Sequence, residues 1–384
     1  MLNTIDQIFI KAKQIILDIL SPFLPEWMMI LISIFIVIVT LCVFGPVVMM
    51  YLTLLERKFI GRMQNRYGPN RCGIFGLLQP LSDGIKMFTK EDIVPQKADP
   101  FAHFLGPITV IIPSLLVFSV IPFGRNMIPS DLSIGILFFF AVASTSTLWI
   151  FTAAWGSRNK FSLLGGMRAV AQMVSYEIPM LLSIVPALLV VGSFSTVAIV
   201  NAQEGLQWFV FTPWGLVGFI LFFLTGVAEV NRCPFDLPEG ESEIIAGFHT
   251  EYSGMKFALF YMAEYMNAFS VSALVTTVYL GGWQGPILPS WLWFFAKTFV
   301  LISIMMWFRG TFPRMRVDQL MGFAWRGLLP LAFINLLAAA LWVHLSFPLN
   351  DILSFCILTV SVLMIYVANR KVAPKKRIYK YAYE

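Results

Sequence analysis

Six carboxylates crowd into residues 228–252, AEVNRCPFDLPEGESEIIAGFHTEY: Glu229, Asp236, Glu239, Glu241, Glu243 and Glu251. Two more, Glu177 and Glu264, sit inside long apolar runs, and Glu56 closes another. An acid at the centre of a membrane helix costs ~2.5–3.5 kcal/mol, against ~0.3–0.6 kcal/mol returned by each Leu, Ile, Phe or Val. Residues retained at that cost mark ion or proton paths more often than they serve structure. The structural alternative is a pair with Lys297 or with a backbone carbonyl. A carboxyl in apolar surroundings keeps its proton more readily than one in water, which is the property a proton relay needs.

Electron transfer by groups of this chain has no such support. Cys42, Cys72, Cys233 and Cys356 lie far apart in different segments, so no iron–sulfur or zinc spacing can be drawn. His103, His249 and His344 give no haem pair, and no dinucleotide or phosphate-binding glycine motif is present. All seven Cys and His read as structural. Any electrons must come from a cofactor on another chain.

Pro234 and Pro238 forbid a regular helix through the acidic stretch, and Glu239, Glu241 and Glu243 alternate, so they share no helical face. A folded loop is predicted. The competing picture is a solvated acidic turn, but Phe235, Leu237, Ile244, Ile245 and Phe248 would have no purpose in one.

The elements that must hold these groups are membrane helices. A mean hydropathy of +0.78, with 58% hydrophobic and 12% charged residues, places the chain among polytopic membrane proteins and excludes a soluble enzyme. The fold class is all-α, a helical bundle. Nine apolar runs match the ~30 Å hydrocarbon core, at 27–55, 104–123, 132–155, 169–194, 214–230, 254–281, 290–312, 320–346 and 349–368. Residues 1–26 read as an amphipathic surface segment, 27–346 as the membrane domain, and 347–384 as an extra span with a basic tail. Lys and Arg divide 23 to 3 between alternate connections, leaving Lys297 inside a span. That split puts the amino terminus outside and the carboxyl terminus inside, so the charged connections face one compartment. Positive charge here is an orientation signal and does not indicate nucleic acid. At ~1.5 Å per helical residue, Glu177 and Glu264 come out ~13 and ~15 Å from the inner edge and Glu229 ~8 Å, a stepped row.

Two further inner connections carry pattern. After the turn-rich GPNRCG, Leu77, Leu78, Leu81, Ile85, Met87 and Phe88 alternate with Asp83, Lys86, Lys90 and Glu91. A short interfacial helix is predicted, beside a cationic cluster, where it could border an opening for a lipid-soluble ligand. The last inner connection sets Arg309, Arg314, Arg316 and Arg326 where they can pair with the acids. Trp283, Trp291 and Trp293 read as interface anchors.

The blocks ERKFIGRMQNRYGPN, GLLQPLSDGIKMFTKE, RAVAQMVSYEIPM, AEVNRCPFDLPEGESEIIAGFHTEYSGMKFALFYMAEY and PRMRVDQLMGFAWRGLLPL run in order across about residues 50–335. In them the chain resembles the quinone-site membrane subunit of respiratory complex I, the proton-pumping NADH:quinone oxidoreductase (the H-type subunit in bacteria, NADH dehydrogenase subunit 1 in mitochondria). The resemblance implies an eight-span core, so that 349–368 is an added ninth. It implies a subunit with no flavin, haem or iron–sulfur cluster of its own and no activity alone. Its partners would be the peripheral-arm subunits beside the terminal iron–sulfur cluster, small neighbouring membrane subunits and membrane lipid, with no nucleic acid. Quinone, ubiquinone or menaquinone, would be its substrate. The membrane would be the bacterial cytoplasmic (inner) membrane, or the mitochondrial inner membrane in an organelle.

Carried over by position, Arg57, Arg62, Arg66, Asp83, Lys86, Arg314 and Arg316 match residues around the quinone chamber. Glu56, Tyr176, Glu177, Glu229, Arg232, Asp236, Glu239, Glu241, Glu243, Glu251 and Glu264 match the acidic funnel that couples quinone chemistry to protons. Ser82, Cys233 and Gly240 depart from the alanine most common there. Competing readings are the equivalent subunit of a membrane-bound hydrogenase-type complex, a free-standing cation/proton antiporter, and a passive scaffold for the peripheral arm.

Overall fold

The computed structural model describes residues 6–22, 24–238, 240–345 and 349–371, with side chains throughout except at 206, 241, 242 and 366–371. Every regular element among them is a helix. The main ones are α1 (Ile8–Leu20), α2 (Glu26–Met63), α3 (Gln79–Thr89), α4 (Pro100–Leu116), α5 (Gly135–Gly156), α6 (Lys160–Val191), α7 (Pro213–Glu229), α8 (Gly254–Tyr279), α9 (Ser290–Thr311), α10 (Val317–Phe323), α11 (Leu329–His344) and α12 (Leu349–Lys371). A π-helical turn, Ala324–Leu328, joins α10 to α11. Six helical stretches are long and apolar enough to cross a membrane, and Pro213–Glu229 and Leu349–Ile365 are shorter apolar helices. The chain is a membrane-embedded helical bundle.

α8 sits at its centre. Every residue from Ala268 to Tyr279 is buried. A helix shielded by its neighbours can carry polar side chains if their hydrogen bonds close locally. Ser272, Thr276 and Thr277 do so, donating to the carbonyls of Ala268, Ser272 and Ala273 at 2.8–2.9 Å. This polar content is why the most buried helix is not among the six most apolar ones. α2 and α9 pack along one side of α8, α4 and α7 along others, and α6 packs on α5, α7 and α11. Gly45 allows α2 to approach, since a Cβ there would stand 2.6 Å from Met266 Sδ. The N-terminal part of α2 remains exposed at Trp27, Ile30, Ile34 and Phe35.

Helices overrun the apolar runs at the end that carries the charged connections. α2 continues to Met63 rather than stopping near 55, and α6 starts at Lys160 rather than 169. At ~1.5 Å per residue, 38 residues extend about 57 Å, well beyond the hydrocarbon core. Hydropathy stops at the membrane edge, but backbone hydrogen bonding does not. Asn159 caps α6 by accepting from Phe161 N at 3.0 Å, and Asp99 caps α4 from Phe101 and Ala102. α3 forms where the sequence predicts, with Leu78, Leu81, Ile85 and Phe88 exposed along its apolar face.

At the other end, Lys297 pairs with none of the described carboxylates. Its Nζ donates to the carbonyls of Leu280, Gly282 and Gln284 at 2.6, 3.0 and 2.7 Å. Those oxygens lie just past the last turn of α8, where a cation complements the helix dipole. Trp208 and Trp293 flank the ammonium at 4.1 and 5.7 Å, so Trp293 is more than an interface anchor.

Candidate functional site

The acidic connection between α7 and α8 is docked, not solvated. Phe235, Leu237, Ile244 and Phe248 are all buried, whereas Ile245, which the sequence groups with them, is 62% exposed. Ile245 has φ of 69°, a turn conformation that points it away from its neighbours. Gln172 on α6 fastens the start of the loop. Its Nε2 donates to the carbonyls of Ala228 and Phe235, both at 2.7 Å, and approaches Asn231 Oδ1 at 3.1 Å. Further on, Ser162 Oγ donates to Phe248 O at 2.8 Å and Tyr252 OH to Ala153 O at 3.1 Å.

Two of the loop's acids, Glu243 and Glu251, are engaged near the surface. Arg168 pairs with Glu243 at 2.5 Å, and this hydrogen bond holds the Glu243 carboxyl below its usual range. Asn159 Nδ2 donates to Glu251 Oε1 at 2.5 Å. Asp236 is half-buried within the loop. Glu239 lies outside the described residues, and so does the side chain of Glu241. Arg314 reaches the loop through Leu237 O at 3.3 Å.

Deeper in, four charges form one cluster. Arg232 Nη1 donates to Glu56 Oε2 at 3.1 Å, and its Nε pairs with Glu264 Oε1 at 3.0 Å. Arg309 also pairs with Glu56, and Tyr265 OH donates to Glu56 Oε2 at 2.8 Å. The Arg232 guanidinium lies 4.2 Å above the Tyr265 ring. Burial works against the cation, but Glu264 and Glu56 more than offset it and raise the Arg232 pKa well above its ordinary value. Two cations and two carboxylates leave the cluster neutral, which is what makes its burial tolerable. One guanidinium from a loop thus touches both Glu56 and Glu264, and this changes the stepped row. Glu264 shares a level with Glu56, because α8 begins and α2 ends among the charged connections, so a depth counted from the start of α8 is too large.

Glu177 and Glu229 are arranged differently. A cavity of about 40 Å³ is lined by Glu229, Asn231, His249, Tyr261, Glu264 and Asn267, among others. A second, of about 30 Å³, is lined by Glu177, Glu229, Asn267 and Ser270 with apolar neighbours. Glu229, Met173 and Asn267 belong to both, so Glu229 forms the partition. Each volume exceeds the ~10–15 Å³ one water needs. Glu229 Oε2 is buried with no hydrogen-bond partner among the described residues, so a water there would complete it. Tyr176 faces elsewhere: wholly buried, it donates to Leu320 O at 2.9 Å, beside the π-turn.

The cationic residues near α3 are only partly drawn together. Arg57 pairs with Asp83 at 2.6 Å and Lys86 with Asp83 at 3.6 Å, and the first of these ties the C-terminal end of α2 to α3. Partial burial pushes the Asp83 carboxyl up, and the Arg57 hydrogen bond and charge outweigh this and hold it below the ordinary value. Arg62, Arg66 and Arg316 are exposed, Arg66 bonding Gln64 Oε1 at 2.8 Å.

The chain matches the family described as NADH dehydrogenase over residues 33–340. It is 50% identical over 296 residues to the H-type subunit of the NADH-quinone oxidoreductase of Dehalococcoides mccartyi strain CBDB1, covering 77% of this chain and 83% of that protein. It is 48% identical over 302 residues to the second H-type subunit of the same enzyme from Syntrophobacter fumaroxidans, covering 76% and 90%. With the second H-type subunit from Geobacter metallireducens it is 45% identical over 324 residues, 79% and 93%. This chain belongs to the NADH dehydrogenase family. The family match ends at residue 340, short of α12, which packs on α11 and α7. Trp342 Nε1 donates to Asp351 Oδ1 at 2.7 Å and fixes the entry to that last helix.

Sequence reasoning missed Gln172, Arg168 and Tyr265 as parts of this arrangement, read Arg309 only as one member of a basic loop, and left His249 as structural. Gln172 and Arg168 lie one helical turn apart, one turn before Tyr176 and Glu177, a spacing that could have pointed to them.

Proposed function

We propose that this chain is the quinone-site membrane subunit of a proton-translocating NADH–quinone oxidoreductase. It forms the quinone chamber with peripheral-arm subunits and couples quinone reduction to proton movement through its carboxylates. The observation that carries the reading is the neutral Glu56–Arg232–Glu264–Arg309 cluster, set by a loop residue beside two water-sized cavities that meet at Glu229. Family membership supports the enzyme, and the named relatives supply the quinone.

In this reading ubiquinone or menaquinone enters from the bilayer past α3, and Arg57, Arg62, Arg66, Asp83, Lys86, Arg314 and Arg316 frame its approach. Electrons come from the terminal iron–sulfur cluster of a peripheral subunit. Reduction takes two electrons and two protons and alters charge at the inner mouth. A neutral buried cluster is sensitive to such a change: protonating one of its carboxylates leaves a net positive charge in a low dielectric, and that charge draws a proton off Glu229. Loop 228–252, with Asp236, Glu239, Glu241, Glu243 and Glu251, is the two-state element. Glu177 takes the proton onward, and Tyr176 holds the adjoining π-turn. The chain lies in the bacterial cytoplasmic membrane with its amino terminus outside and its carboxyl terminus inside, against small membrane subunits and lipid. Lys297, on which an antiporter reading leaned, is committed to three backbone carbonyls.

Glu229→Gln tests this in the assembled enzyme. NADH-to-ferricyanide electron flow and assembly are expected to persist while quinone-dependent turnover falls. Unchanged quinone reduction coupled to normal proton uptake would refute the reading.

A further inference from the structure

His249 is 5% exposed, in the turn Gly247–His249, and lines the cavity shared by Glu229 and Glu264. Phe248, Phe257 and Tyr261 enclose its ring at centroid distances of 4.9, 5.2 and 6.0 Å. Its Nδ1 is buried and has no hydrogen-bond partner among the described residues, and the same holds for Glu229 Oε2 across the cavity. A buried polar atom left unpaired costs ~1–3 kcal/mol, so two of them beside a cavity large enough for water specify an aqueous link.

We propose that His249 is a proton-relay group, passing protons through cavity water between Glu264 and Glu229. The inference rests on the function proposed above and adds to it a residue that is not a carboxylate. The charged and titratable groups facing the ring support a transfer role over a fixed pair. From α7 it meets Glu229, and from α8 Tyr261 and Glu264. On α6, Arg168 is held by Glu243, and Glu177 lies in the second cavity. α5 carries no ionisable side chain. Within the loop, Glu251 is taken by Asn159, and Tyr252 stacks on His103 of α4 at 4.2 Å. Among the described residues no salt bridge holds the imidazole in one state.

Burial lowers its pKa to about 4, so at neutral pH the ring rests uncharged, with one nitrogen bearing hydrogen and the other free to accept. In one transfer, a water on the Glu264 side gives a proton to the free nitrogen, and the N–H of the other nitrogen breaks towards water on the Glu229 side. One N–H bond forms and one breaks, Glu264 ends deprotonated and Glu229 protonated, and no electrons change hands. Return of the ring to its first tautomer completes the cycle.

The test uses the whole enzyme in sealed membrane vesicles with His249→Gln, which keeps hydrogen bonding but cannot carry a proton, and His249→Phe, which keeps the packing. NADH-to-ferricyanide flow reports assembly. Quinone-dependent turnover is expected to fall about tenfold or more in both variants, with a larger solvent deuterium isotope effect than in the unaltered enzyme. A structural role would not move the isotope effect. Full turnover with an unchanged isotope effect in His249→Gln overturns the proposal, as does a loss confined to His249→Phe. If His249→Phe does not assemble, His249→Gln decides alone. Glu229→Gln run in parallel separates the two readings: impaired Glu229→Gln with normal His249→Gln removes the relay and leaves the function, and normal Glu229→Gln removes both.

Discussion

Replacing Arg232 by Gln removes a side chain that, among the described residues, joins loop 228–252 to both α2 and α8. The Arg232–Glu264 contact is 3.0 Å, and with charge centres ~4 Å apart at an effective dielectric of ~20 the attraction is ~4 kcal/mol. Removing one member of a buried pair costs about 3–5 kcal/mol, because the survivor stays desolvated. Glu56 retains Arg309 and Tyr265, so the lower end, about 3 kcal/mol, applies here. At about 1.4 kcal/mol per tenfold, the docked loop should open roughly 100-fold more often. Hydrogen exchange by mass spectrometry on the intact complex reads that opening at the amides of Asn231, Arg232, Phe235 and Leu237, each bonded within the loop region. The residue 232 amide is a backbone probe, so it survives the substitution. Glu264→Gln alone should raise exchange far less, since Arg232 keeps Glu56. The double variant should exchange less than the product of the two single effects, with a coupling of about 1.5 kcal/mol or more. Strict additivity, or an Arg232→Gln loop that exchanges like the native one, would show that the cluster does not hold the loop and refute the electrostatic account.

Two further outcomes follow from the loop's other attachments. Gln172→Leu strips the donor from two buried carbonyls, at about 1–3 kcal/mol for each, and should make residues 228–238 cleavable by added protease in the folded complex; resistance equal to the native chain would show that Gln172 merely fills space. Glu243 is held low by Arg168, so its contribution is present above the unfolded carboxyl value and is lost as pH falls through the folded one. Because the pair is exposed, Arg168→Ala should cost at most about 1 kcal/mol at pH 7, and less on moving from pH 6 to pH 3 as the native pair itself is lost. Melting curves of the two proteins that stay equally far apart across that range would contradict the assignment.

What the sequence made legible were features encoded in short windows. Each of the nine apolar runs falls on a helical stretch among the described residues, six of which are long and apolar enough to cross a membrane, and alternation located α3, because a helix crossing oil or lying on it must show that in consecutive residues. Partners were not legible. Arg232 lies 176 positions from Glu56 and 32 from Glu264, and nothing local says that one guanidinium serves both. The last basic connection was expected to meet the acids, and Arg309 and Arg314 do, but Arg309 reaches past the loop to Glu56 and Arg314 takes a carbonyl rather than a carboxylate. The structural alternative for a buried acid was a pair with Lys297 or with a backbone carbonyl, because acid and cation are both costly in a membrane. Three carbonyls beyond α8 solve the same problem, and they arise from a chain reversal at Gly281 and Gly282 that hydropathy does not register.

The pattern of burial separates two jobs that the acidic stretch alone runs together. Glu243 and Glu251 are met near the surface by Arg168 and Asn159, where solvent limits what the contact can contribute. Glu56 and Glu264 are balanced by Arg232, which is buried, and by Arg309, whose side chain is 42% exposed, so the four groups together carry no net charge. Glu229, with no cation beside it among the described residues and facing two cavities, can change its charge only with the help of water or a neighbour. In the proposed relay, the side chain that sets how many waters separate Glu264 from Glu229 is whichever group fills the space between them, and His249 lines that cavity.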